Sequence, residues 1–492
     1  MDVNKYLSRS YFDVKRSKHQ ATDIIASGEN SLLLKTDEGK ILKICSSDKD
    51  YGVYSERLDW LQELGLRGTL NKYISMPLAK LNGLKHGEYG YVCEDADGVN
   101  LDYYIHPSKD IKPFNKWYYD STGGIEYRLK LAYTIALALE QIHQCGYCFV
   151  DICPSNVVVT QFDSNERTPL KAKFLGAENI ASYTFNPHIN GSDMYVDPMV
   201  YSNRNGNSTV SDTYSYAIMI FQLLTTCHPF VGDECEVREQ EEIINMIHSG
   251  ELDYIGDEDS TKNKNDTFDM TQIFVPRELR ELFYKMFVVG KFNPNGRPTL
   301  TDFKNACRRA TQKLIMCTNS SCKRQYPYNV NKVCPFCHEP SKNVVVVRLK
   351  RVLTSSEKIL LPYDENKGFS SLPPIEENIN YMILKPGLNR LPTSFFDSSF
   401  PDEEGFAGIL IQCNNKEIKI RNSFKKARIK VNGTILEPFS KNNIEKSDIV
   451  VALSKEIIIE FPKNLMVHSE SAANLSCEQY GEVISKWAIT IG

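Results

Sequence analysis

A chain of 492 residues exceeds what one hydrophobic core organises, and ordinary domain sizes imply about three folded units. Hydrophobic residues make up 41% of the sequence and charged residues 24%, which excludes wholesale disorder. The formal net charge of -4 excludes a uniformly basic surface, so nucleic-acid binding would depend on a local patch.

The N-terminal sequence and the cysteines indicate a compartment. The start, MDVNKYLSRSYFDVKRSKHQ, carries charges where a signal peptide needs an apolar segment, and the longest apolar stretch, residues 216–224, is too short to span a bilayer. Without a secretory signal, the 14 cysteines are expected to be reduced thiols unless their spacing suits a metal. We expect a soluble, cytoplasmic protein with no membrane partner.

The predicted elements change from β to α along the first three hundred residues. Residues 21–47 predict two short strands joined by a turn at Gly39. The pattern YSERLDWLQELG then predicts a helix with three leucines on one side and a stop at Gly65. Two longer helices follow, IEYRLKLAYTIALALEQIHQCG and SDTYSYAIMIFQLLTT. The order is a mainly β lobe followed by a mainly α lobe.

The most informative segment is GYCFVDICPSNVVV, residues 146–159, between a long helix and a β-branched strand. An Asp followed five residues later by an Asn suits a phosphotransferase loop: Asp151 would orient the acceptor hydroxyl and take its proton, and Asn156 would bind a nucleotide-bound Mg²⁺. The alternative is an Asx-rich turn, because D-x-x-x-x-N alone is a weak motif. The order of the surrounding elements favours the catalytic interpretation.

The segment resembles the catalytic loop of the protein-kinase superfamily, and the resemblance extends over residues 20–312. It is closest to atypical bacterial Ser/Thr kinases of the helix-hairpin-helix and tellurite-resistance phosphorylation-triad type, which also have a cysteine ribbon directly after the kinase domain. This implies an α+β, bilobal kinase-like fold with an N-terminal extension at 1–19, an N-lobe at 20–97 and a C-lobe at 98–312. It also implies ATP and Mg²⁺ as cofactors and proteins as substrates or partners.

The resemblance assigns roles in the small lobe. Lys43 occupies the place of the strand lysine that holds the α- and β-phosphates, and Glu56 in the next helix is the expected ion-pair partner, with Glu63 as the fallback. The alternative for Lys43 is an exposed strand lysine. Gly28 lies in the phosphate-covering turn, where the family's three glycines are reduced to one. Glu94 falls at the connection between the lobes, where kinases bind adenine through backbone groups.

Two further motifs match in the large lobe. SDTYSYA supplies Asp212 and Ser215 of the family's D-x-W-S-x-G, and Asp212 would brace the backbone of the catalytic loop. GRPT supplies Arg297, which in kinases pairs with the Glu of A-P-E. The counterpart of A-P-E here is Asp197-Pro198-Met199, whose Met cannot form that pair. Arg297 therefore needs another partner, or this end of the lobe is rebuilt.

Other departures concern the metal and regulation. At the D-F-G position, Phe174-Leu175-Gly176 offers no carboxylate, so a principal Mg²⁺ ligand is missing and activity should fall steeply. Glu178 could compensate, although a solvated loop acid is the interpretation that we favour from sequence. The His and Arg that precede the catalytic Asp in kinases are Phe149 and Val150, which argues against switching by activation-loop phosphorylation.

Four cysteines after the helical lobe have metal-site spacing. Cys317 and Cys322 form C-x4-C, Cys334 and Cys337 form C-x2-C, and eleven residues separate the pairs. Two such knuckles can surround Zn²⁺ tetrahedrally, so residues 313–340 predict a structural zinc ribbon. The alternative is four unrelated buried thiols. The sequence argues against nucleic-acid contact through the ribbon, because the chain lacks a basic stripe with interleaved aromatics.

The chain becomes strand-rich beyond the ribbon. Residues 341–465 predict an all-β, sandwich-like domain, and its last strands, including VNGT and the turn at Asp448, resemble those of a forkhead-associated domain. The family's S-R-x-H pattern is absent, and the acids Glu403 and Glu404 near Phe406 would repel a phosphate. Residues 466–492 give no pattern and are taken as a tail.

Three functions remain open from sequence alone. The first is an atypical Ser/Thr kinase that uses Lys43, Asp151 and Asn156 with ATP and Mg²⁺. The second is a pseudokinase scaffold that binds protein partners, which the missing D-F-G carboxylate favours. The third, a nucleic-acid-associated protein acting through the ribbon, has the least support.

Overall fold

A computed structural model divides the chain into two units. The first comprises Met1–Thr311 and Arg324–Pro327, and the second comprises Gln312–Lys323 and Tyr328–Gly492. The structure describes residues 4–7, 9–27, 31–46, 51–66, 68, 70–107, 113–164, 168–182, 191–260, 262–328, 333–340, 345–352, 380–385, 387–396, 408–413, 417–424, 428–440, 444–452, 457–462 and 483–491.

Six antiparallel strands at the start of the first unit close into a barrel in the order β1-β2-β3-β4-β6-β5. Side chains alternate between the two faces of each strand, which buries Leu32 and Leu34 of β3 while their neighbours face outward. The strands are β1 (Ser10–Asp13), β2 (Lys18–Ser27), β3 (Ser31–Thr36), β4 (Ile41–Ser46), β5 (Pro77–Asn82) and β6 (Glu88–Cys93).

Residues 10–13 form a strand of this barrel, which corrects the assignment of residues 1–19 as an extension. Strand β1 pairs with β2 on one side and with β5 on the other, so it closes the sheet. A short helix, α1 (Asn4–Leu7), precedes it, and the Tyr6 hydroxyl donates to Glu88 at 2.8 Å. The sequence pattern missed β1 because four residues give too short an alternation to distinguish a strand.

The helix predicted after β4 is α2 (Tyr51–Leu66), which lies between β4 and β5 in the chain. Leu58, Leu61 and Leu64 are buried, as the spacing predicted. The side chain of Arg57 is also buried, at 1% exposure, whereas that of Glu56 is exposed. Helix α2 therefore directs the Arg57 side chain inward, whereas the neighbouring Glu56, the predicted partner of Lys43, points outward.

The large lobe is built around α6 (Thr209–Thr225), in which every residue from Ser211 to Thr225 is buried. Ser208 caps its first turn, because the side chains and backbone amides of Ser208 and Ser211 bond reciprocally. The other helices are α3 (Asp102–Ile105), α4 (Gly124–Gln144), α5 (Pro198–Tyr201), α7 (Gln240–Ser249), α8 (Asp266–Thr271), α9 (Arg277–Tyr284) and α10 (Leu300–Thr311).

Short strands flank the segment that follows α4. They form two small sheets, of order β10-β9-β7 and β11-β8, and all pairs are antiparallel. The strands are β7 (Val99–Asn100), β8 (Tyr147–Phe149), β9 (Val157–Val159), β10 (Ala172–Phe174) and β11 (Ile180–Ser182). The loop between β8 and β9 is thus fixed at both ends by strand pairing.

The second unit contains a six-stranded and a four-stranded sheet, of order β15-β14-β23-β22-β19-β20 and β16-β17-β18-β21. Their apolar faces contribute to one core, which includes Val347, Ile411, Ile420 and Ile459. The strands and helices from the end of the helical lobe onward are β12 (Leu314–Met316), β13 (Gln325–Pro327), β14 (Val345–Val352), β15 (Asn380–Leu384), β16 (Leu388–Leu391), α11 (Thr393–Phe396), β17 (Ile409–Cys413), β18 (Glu417–Asn422), β19 (Ile429–Val431), β20 (Thr434–Leu436), α12 (Ile444–Ser447), β21 (Asp448–Ala452), β22 (Ile457–Pro462) and β23 (Val483–Ile491).

The end of the chain is not a structureless tail. Strand β23 pairs with both β14 and β22 in the larger sheet, which corrects the domain boundary at residue 465. Among the described residues, no helix is both long and apolar enough to cross a membrane.

Candidate functional site

The loop after β8 is fixed by Asp212 of the buried helix α6. The Oδ2 atom of Asp212 accepts hydrogen bonds from the Phe149 backbone amide at 2.7 Å and from His143 Nε2 at 2.8 Å. Burial raises the pKa of Asp212, and the hydrogen bond from His143 opposes that rise. The predicted role of Asp212 as a brace for this loop is therefore confirmed.

Asp151 and Asn156 are brought together at the mouth of the loop. The Asn156 amide nitrogen donates to the Asp151 carboxylate at 2.7 Å and to its backbone carbonyl at 3.0 Å. Ser192 adds two donors to the other carboxylate oxygen, its backbone amide at 2.7 Å and its hydroxyl at 2.8 Å. Three side-chain or backbone donors thus fix the orientation of the Asp151 carboxylate.

Lys43 of β4 forms an ion pair with Glu178, which lies on a short 3₁₀ turn before β11. The other oxygen of Glu178 accepts a 2.7 Å hydrogen bond from the Tyr91 hydroxyl on β6. Burial alone would lower the pKa of Lys43, but the Glu178 carboxylate raises it above its usual value. Burial alone would raise the pKa of Glu178, but Lys43 holds it below its usual value. Both groups are therefore charged.

This pair corrects two expectations. Glu178 is 7% exposed and is not a solvated loop acid. Glu56 is exposed, as is its fallback Glu63, and the ion pair of Lys43 among the described residues is with Glu178. The sequence could not identify Glu178 as the partner, because it lies more than one hundred positions from Lys43 and only the folded chain brings the two side chains together.

The segment at the D-F-G position, Phe174-Leu175-Gly176, has no acidic side chain. Phe174 is fully buried at the end of β10, and the Leu175 amide donates to the Asn156 carbonyl at 2.8 Å. Gly176 has φ +81°, and a Cβ there would lie 3.0 Å from Asn179 Nδ2. The backbone conformation therefore favours glycine at this position.

Comparisons with known proteins agree with this geometry. The family description "Protein kinase domain" matches residues 91–307, a stretch that contains the Asp151 loop and helix α6. The match covers less than half of the chain, and together with the geometry it supports a protein-kinase-like α+β fold for this region.

Curated relatives match about a quarter of the chain. Human ribosomal protein S6 kinase alpha-6 is 32% identical over 120 residues, which is 24% of this chain and 15% of that protein. The probable serine/threonine-protein kinase gdt9 of Dictyostelium discoideum is 30% identical over 128 residues, 25% of this chain and 8% of that protein. The serine/threonine-protein kinase mos of Patiria pectinifera is 31% identical over 116 residues, 22% of this chain and 32% of that protein. The matched stretch thus spans less than one third of each relative.

Two further residues expected to bind the nucleotide are Gly28 and Glu94. Gly28 lies outside the described residues. Glu94 follows β6 and its side chain is exposed, while its backbone carbonyl accepts a 3.2 Å hydrogen bond from the Ser75 hydroxyl. The role of Glu94 in the kinase domain would therefore have to come from its backbone, as the sequence comparison implied.

The sequence missed Ser192 and the true partner of Arg297. Ser192 stands at the start of the described segment that leads to α5, and only its contact with Asp151 reveals its role. Arg297 makes a bidentate, buried ion pair with Asp197, and its Nε donates to the Gly290 carbonyl at 2.7 Å. Asp197 thus supplies, two residues earlier, the carboxylate that Met199 lacks, and the Arg297 guanidinium stays paired.

The four ribbon cysteines converge in the second unit. Their sulfur atoms all lie within 4.8 Å of one another, with Cys317 and Cys337 at 3.5 Å and Cys322 and Cys334 at 3.9 Å. Zn–S bonds of about 2.3 Å in a tetrahedron place sulfur atoms about 3.8 Å apart. The spacing of the thiols therefore fits a tetrahedral Zn²⁺.

Proposed function

We propose that the kinase domain transfers the γ-phosphoryl group of ATP to Ser or Thr hydroxyls of protein substrates. The observation that carries this proposal is the Asp151 carboxylate, which three donors from Asn156 and Ser192 hold in one orientation. A general base is effective when its position is fixed before the substrate arrives. Two of these relatives are named as serine/threonine-protein kinases, which supports the same substrate class.

The chain's residues divide the work between binding and proton transfer. Lys43 would bind the α- and β-phosphates through its ammonium group, which is 16% exposed at the side chain. Asp151 would accept the proton of the acceptor hydroxyl, while Asn156 and Ser192 hold its carboxylate. Asp212 would keep the loop backbone in place through the Phe149 amide. ATP supplies the phosphoryl group when bound.

The residues fit the nucleotide better than they fit Mg²⁺. The Lys43 ammonium on β4 supplies the cation that nucleotide phosphates require. Protein kinases in general use Mg²⁺, and Asn156 retains its carbonyl oxygen as a hard ligand. At the D-F-G position, however, Phe174-Leu175-Gly176 offers no carboxylate as a second protein ligand. We therefore assign Asn156 as a metal-binding residue and derive no step through the ion.

The experiment measures phosphoryl transfer and nucleotide binding together. Purified protein is incubated with labelled ATP and either Mg²⁺ or Mn²⁺, beside Asp151→Asn and Lys43→Ala, and its melting temperature is recorded with and without nucleotide. We expect transfer that Asp151→Asn abolishes, and thermal stabilisation by nucleotide that Lys43→Ala abolishes. Transfer that survives both substitutions would exclude the proposed site.

A second candidate function, a nucleotide-binding pseudokinase scaffold, is favoured by the missing D-F-G carboxylate, where Leu175 stands. In that case nucleotide stabilises the protein and Lys43→Ala removes the effect, but no transfer occurs with either metal. The same experiment thus separates the two candidates.

We also propose that the four cysteines bind one structural Zn²⁺. The sulfur distances support this, and four protein ligands leave no open position for catalysis. Metal analysis of the purified protein should give one zinc per chain, and Cys322→Ser should lose it. Cys145→Ser, which changes an exposed thiol elsewhere, is the control. Zinc that persists in Cys322→Ser would contradict the assignment.

Three finer assignments accompany the kinase proposal. The ribbon directly after the kinase domain supports the atypical bacterial type, and the two-sheet core of the second unit supports a forkhead-associated-like sandwich. Glu403, Glu404 and Phe406, which argue against phosphate recognition, lie outside the described residues. The reduced thiols support a cytoplasmic location.

A further inference from the structure

The ion pair of Lys43 comes from an unexpected element. Its carboxylate partner, Glu178, lies on the 3₁₀ turn that follows Gly176, whereas helix α2 presents Glu56 to solvent. Two residues before this turn begins, the Leu175 amide donates to the Asn156 carbonyl of the catalytic loop. Lys43 is thus connected to the catalytic loop through one continuous stretch of backbone.

Helix α2 is attached to the same stretch by a different group. The buried guanidinium of Arg57 donates to the carbonyl of Ile180, two residues after Glu178. The helix therefore supplies a cation that binds backbone, and the turn supplies the anion that binds lysine. Arg57 of helix α2 thus supports the turn, and Glu178 of the turn supports Lys43.

Both oxygens of Glu178 are already engaged. One pairs with Lys43 and the other accepts from the Tyr91 hydroxyl, and the carboxylate is almost completely buried. Releasing Glu178 to a metal ion would leave the Lys43 ammonium and the Tyr91 hydroxyl without this partner in a buried site, which is unfavourable. The contacts therefore favour a role in holding the lysine over a role as metal ligand.

We propose that Glu178 is the positioning residue for Lys43, so that the turn at residues 177–179, and not helix α2, fixes the lysine for the nucleotide phosphates. This inference rests on the proposed nucleotide-binding function of Lys43. Tyr91 supports Glu178 by orienting its second oxygen. Residues 175–178 then contact both the catalytic loop, through the Leu175 amide, and the phosphate-binding Lys43, through Glu178.

The test compares ligands that have phosphates with one that does not. Affinities for ADP and adenosine are measured by displacement of a fluorescent ATP analogue from the full-length protein and from Glu178→Gln, Glu178→Asp, Tyr91→Phe, Glu56→Gln and Glu258→Gln. Glu258 is an exposed acid and serves as the matched control. Glu178→Gln should weaken ADP binding by about tenfold or more, as expected when a charged contact is lost, and should leave adenosine affinity nearly unchanged.

The other variants give a graded result. Tyr91→Phe should weaken ADP binding less than Glu178→Gln, and Glu178→Asp should recover part of the affinity because it keeps the charge. Melting temperatures without ligand identify any variant that fails to fold, in which case Tyr91→Phe and Glu178→Asp carry the comparison. A purely structural role of Glu178 would weaken ADP and adenosine alike, and that result would overturn the proposal.

Two outcomes separate this inference from the proposed function. If ADP binding depends on Lys43 but Glu56→Gln weakens it and Glu178→Gln does not, the inference is wrong and nucleotide binding by Lys43 stands. If the unmodified protein binds no nucleotide, and Lys43→Ala behaves identically, the proposed function fails and this inference fails with it.

Discussion

Arg297 and Asp197 form a buried, bidentate ion pair although one hundred residues separate them in the chain. The guanidinium is further held by the carbonyls of Gly290 and Lys291 and lies 4.7 Å from the centre of the Tyr214 ring. Asp197 also caps α5 by accepting from the Met199 amide at 2.9 Å. One carboxylate therefore anchors the segment between Ser192 and α5 to the helical lobe.

We expect Asp197→Asn to lower the free energy of unfolding by about 3 kcal/mol, because it leaves a buried guanidinium without its counter-charge. Asparagine is also a good helix cap, so the loss reports on the ion pair and not on the start of α5. Denaturant unfolding of the full-length protein measures the change.

The control for this prediction is Asp193→Asn, which alters an exposed side chain four residues earlier and should change stability by less than about 0.5 kcal/mol. Adding Arg297→Met to Asp197→Asn should recover part of the loss, since the unpaired charge is then gone. Equal stability of Asp197→Asn and the unmodified protein would contradict the role of the pair.

The part of the site that could be predicted from sequence is the part that is local. Asp151 and Asn156 are five residues apart in one loop, and their spacing, the order of the surrounding elements and the resemblance to kinases together suggested their chemistry. The same resemblance assigned the role of Lys43. Glu178 and Asp197 could not be found this way. Each is paired with a residue more than ninety positions distant, and only the packed fold determines which acids come within reach.

The same distinction holds for the fold. The long helices α4 and α6 follow from apolar periodicity, because ten or more residues repeat the pattern. Strands β1 and β23 were missed, and both are completed by pairing with strands far away in the chain. Strand pairing with distant partners leaves little local signal in a short segment.

Zinc removal should loosen the ribbon locally. Thiolates that have lost the metal repel one another, and structural zinc contributes folding free energy on the order of 10 kcal/mol in small domains. We expect a strong chelator to increase amide hydrogen exchange around Cys317–Cys322 and Cys334–Cys337, and added Zn²⁺ to restore protection. Exchange around Cys145, which has no such site, is the internal control. Unchanged protection after verified loss of zinc would contradict a structural role.

Acid should destabilise the helical lobe through His228. Burial, with smaller contributions from His248 and Lys291, lowers the pKa of His228 from 6.5 to about 4. The hydrogen bond that its Nε2 donates to the Met194 carbonyl at 2.9 Å opposes this shift. Because the unfolded state binds a proton that the folded state excludes, this contribution is complete above pH 6.5 and is lost as the pH falls towards 4. Each pKa unit corresponds to about 1.4 kcal/mol.

The variant His228→Gln tests this pH dependence, since glutamine can donate and accept similarly but does not titrate. We expect the difference in unfolding free energy between the unmodified protein and His228→Gln to shift in favour of the variant as the pH falls from 7 to 4.5. His248, whose pKa is also lowered by burial, is retained in both proteins. Parallel pH profiles for the two proteins would show that His228 is not the group responsible.

Arg57 and Glu56 are adjacent in α2, but substituting them should change the stability by different amounts. The Arg57 side chain is buried and donates to the Ile180 carbonyl, so Arg57→Met should leave that carbonyl without this donor and cost about 1–3 kcal/mol. Glu56→Gln changes an exposed side chain and should stay within about 0.5 kcal/mol of the unmodified protein. Denaturant unfolding measures both, and ADP affinity measured alongside should fall in Arg57→Met, because the turn that carries Glu178 loses its attachment to the helix. If Arg57→Met lowered stability but left ADP affinity unchanged, the contact would support the fold alone, and α2 would have no part in holding the Lys43–Glu178 pair.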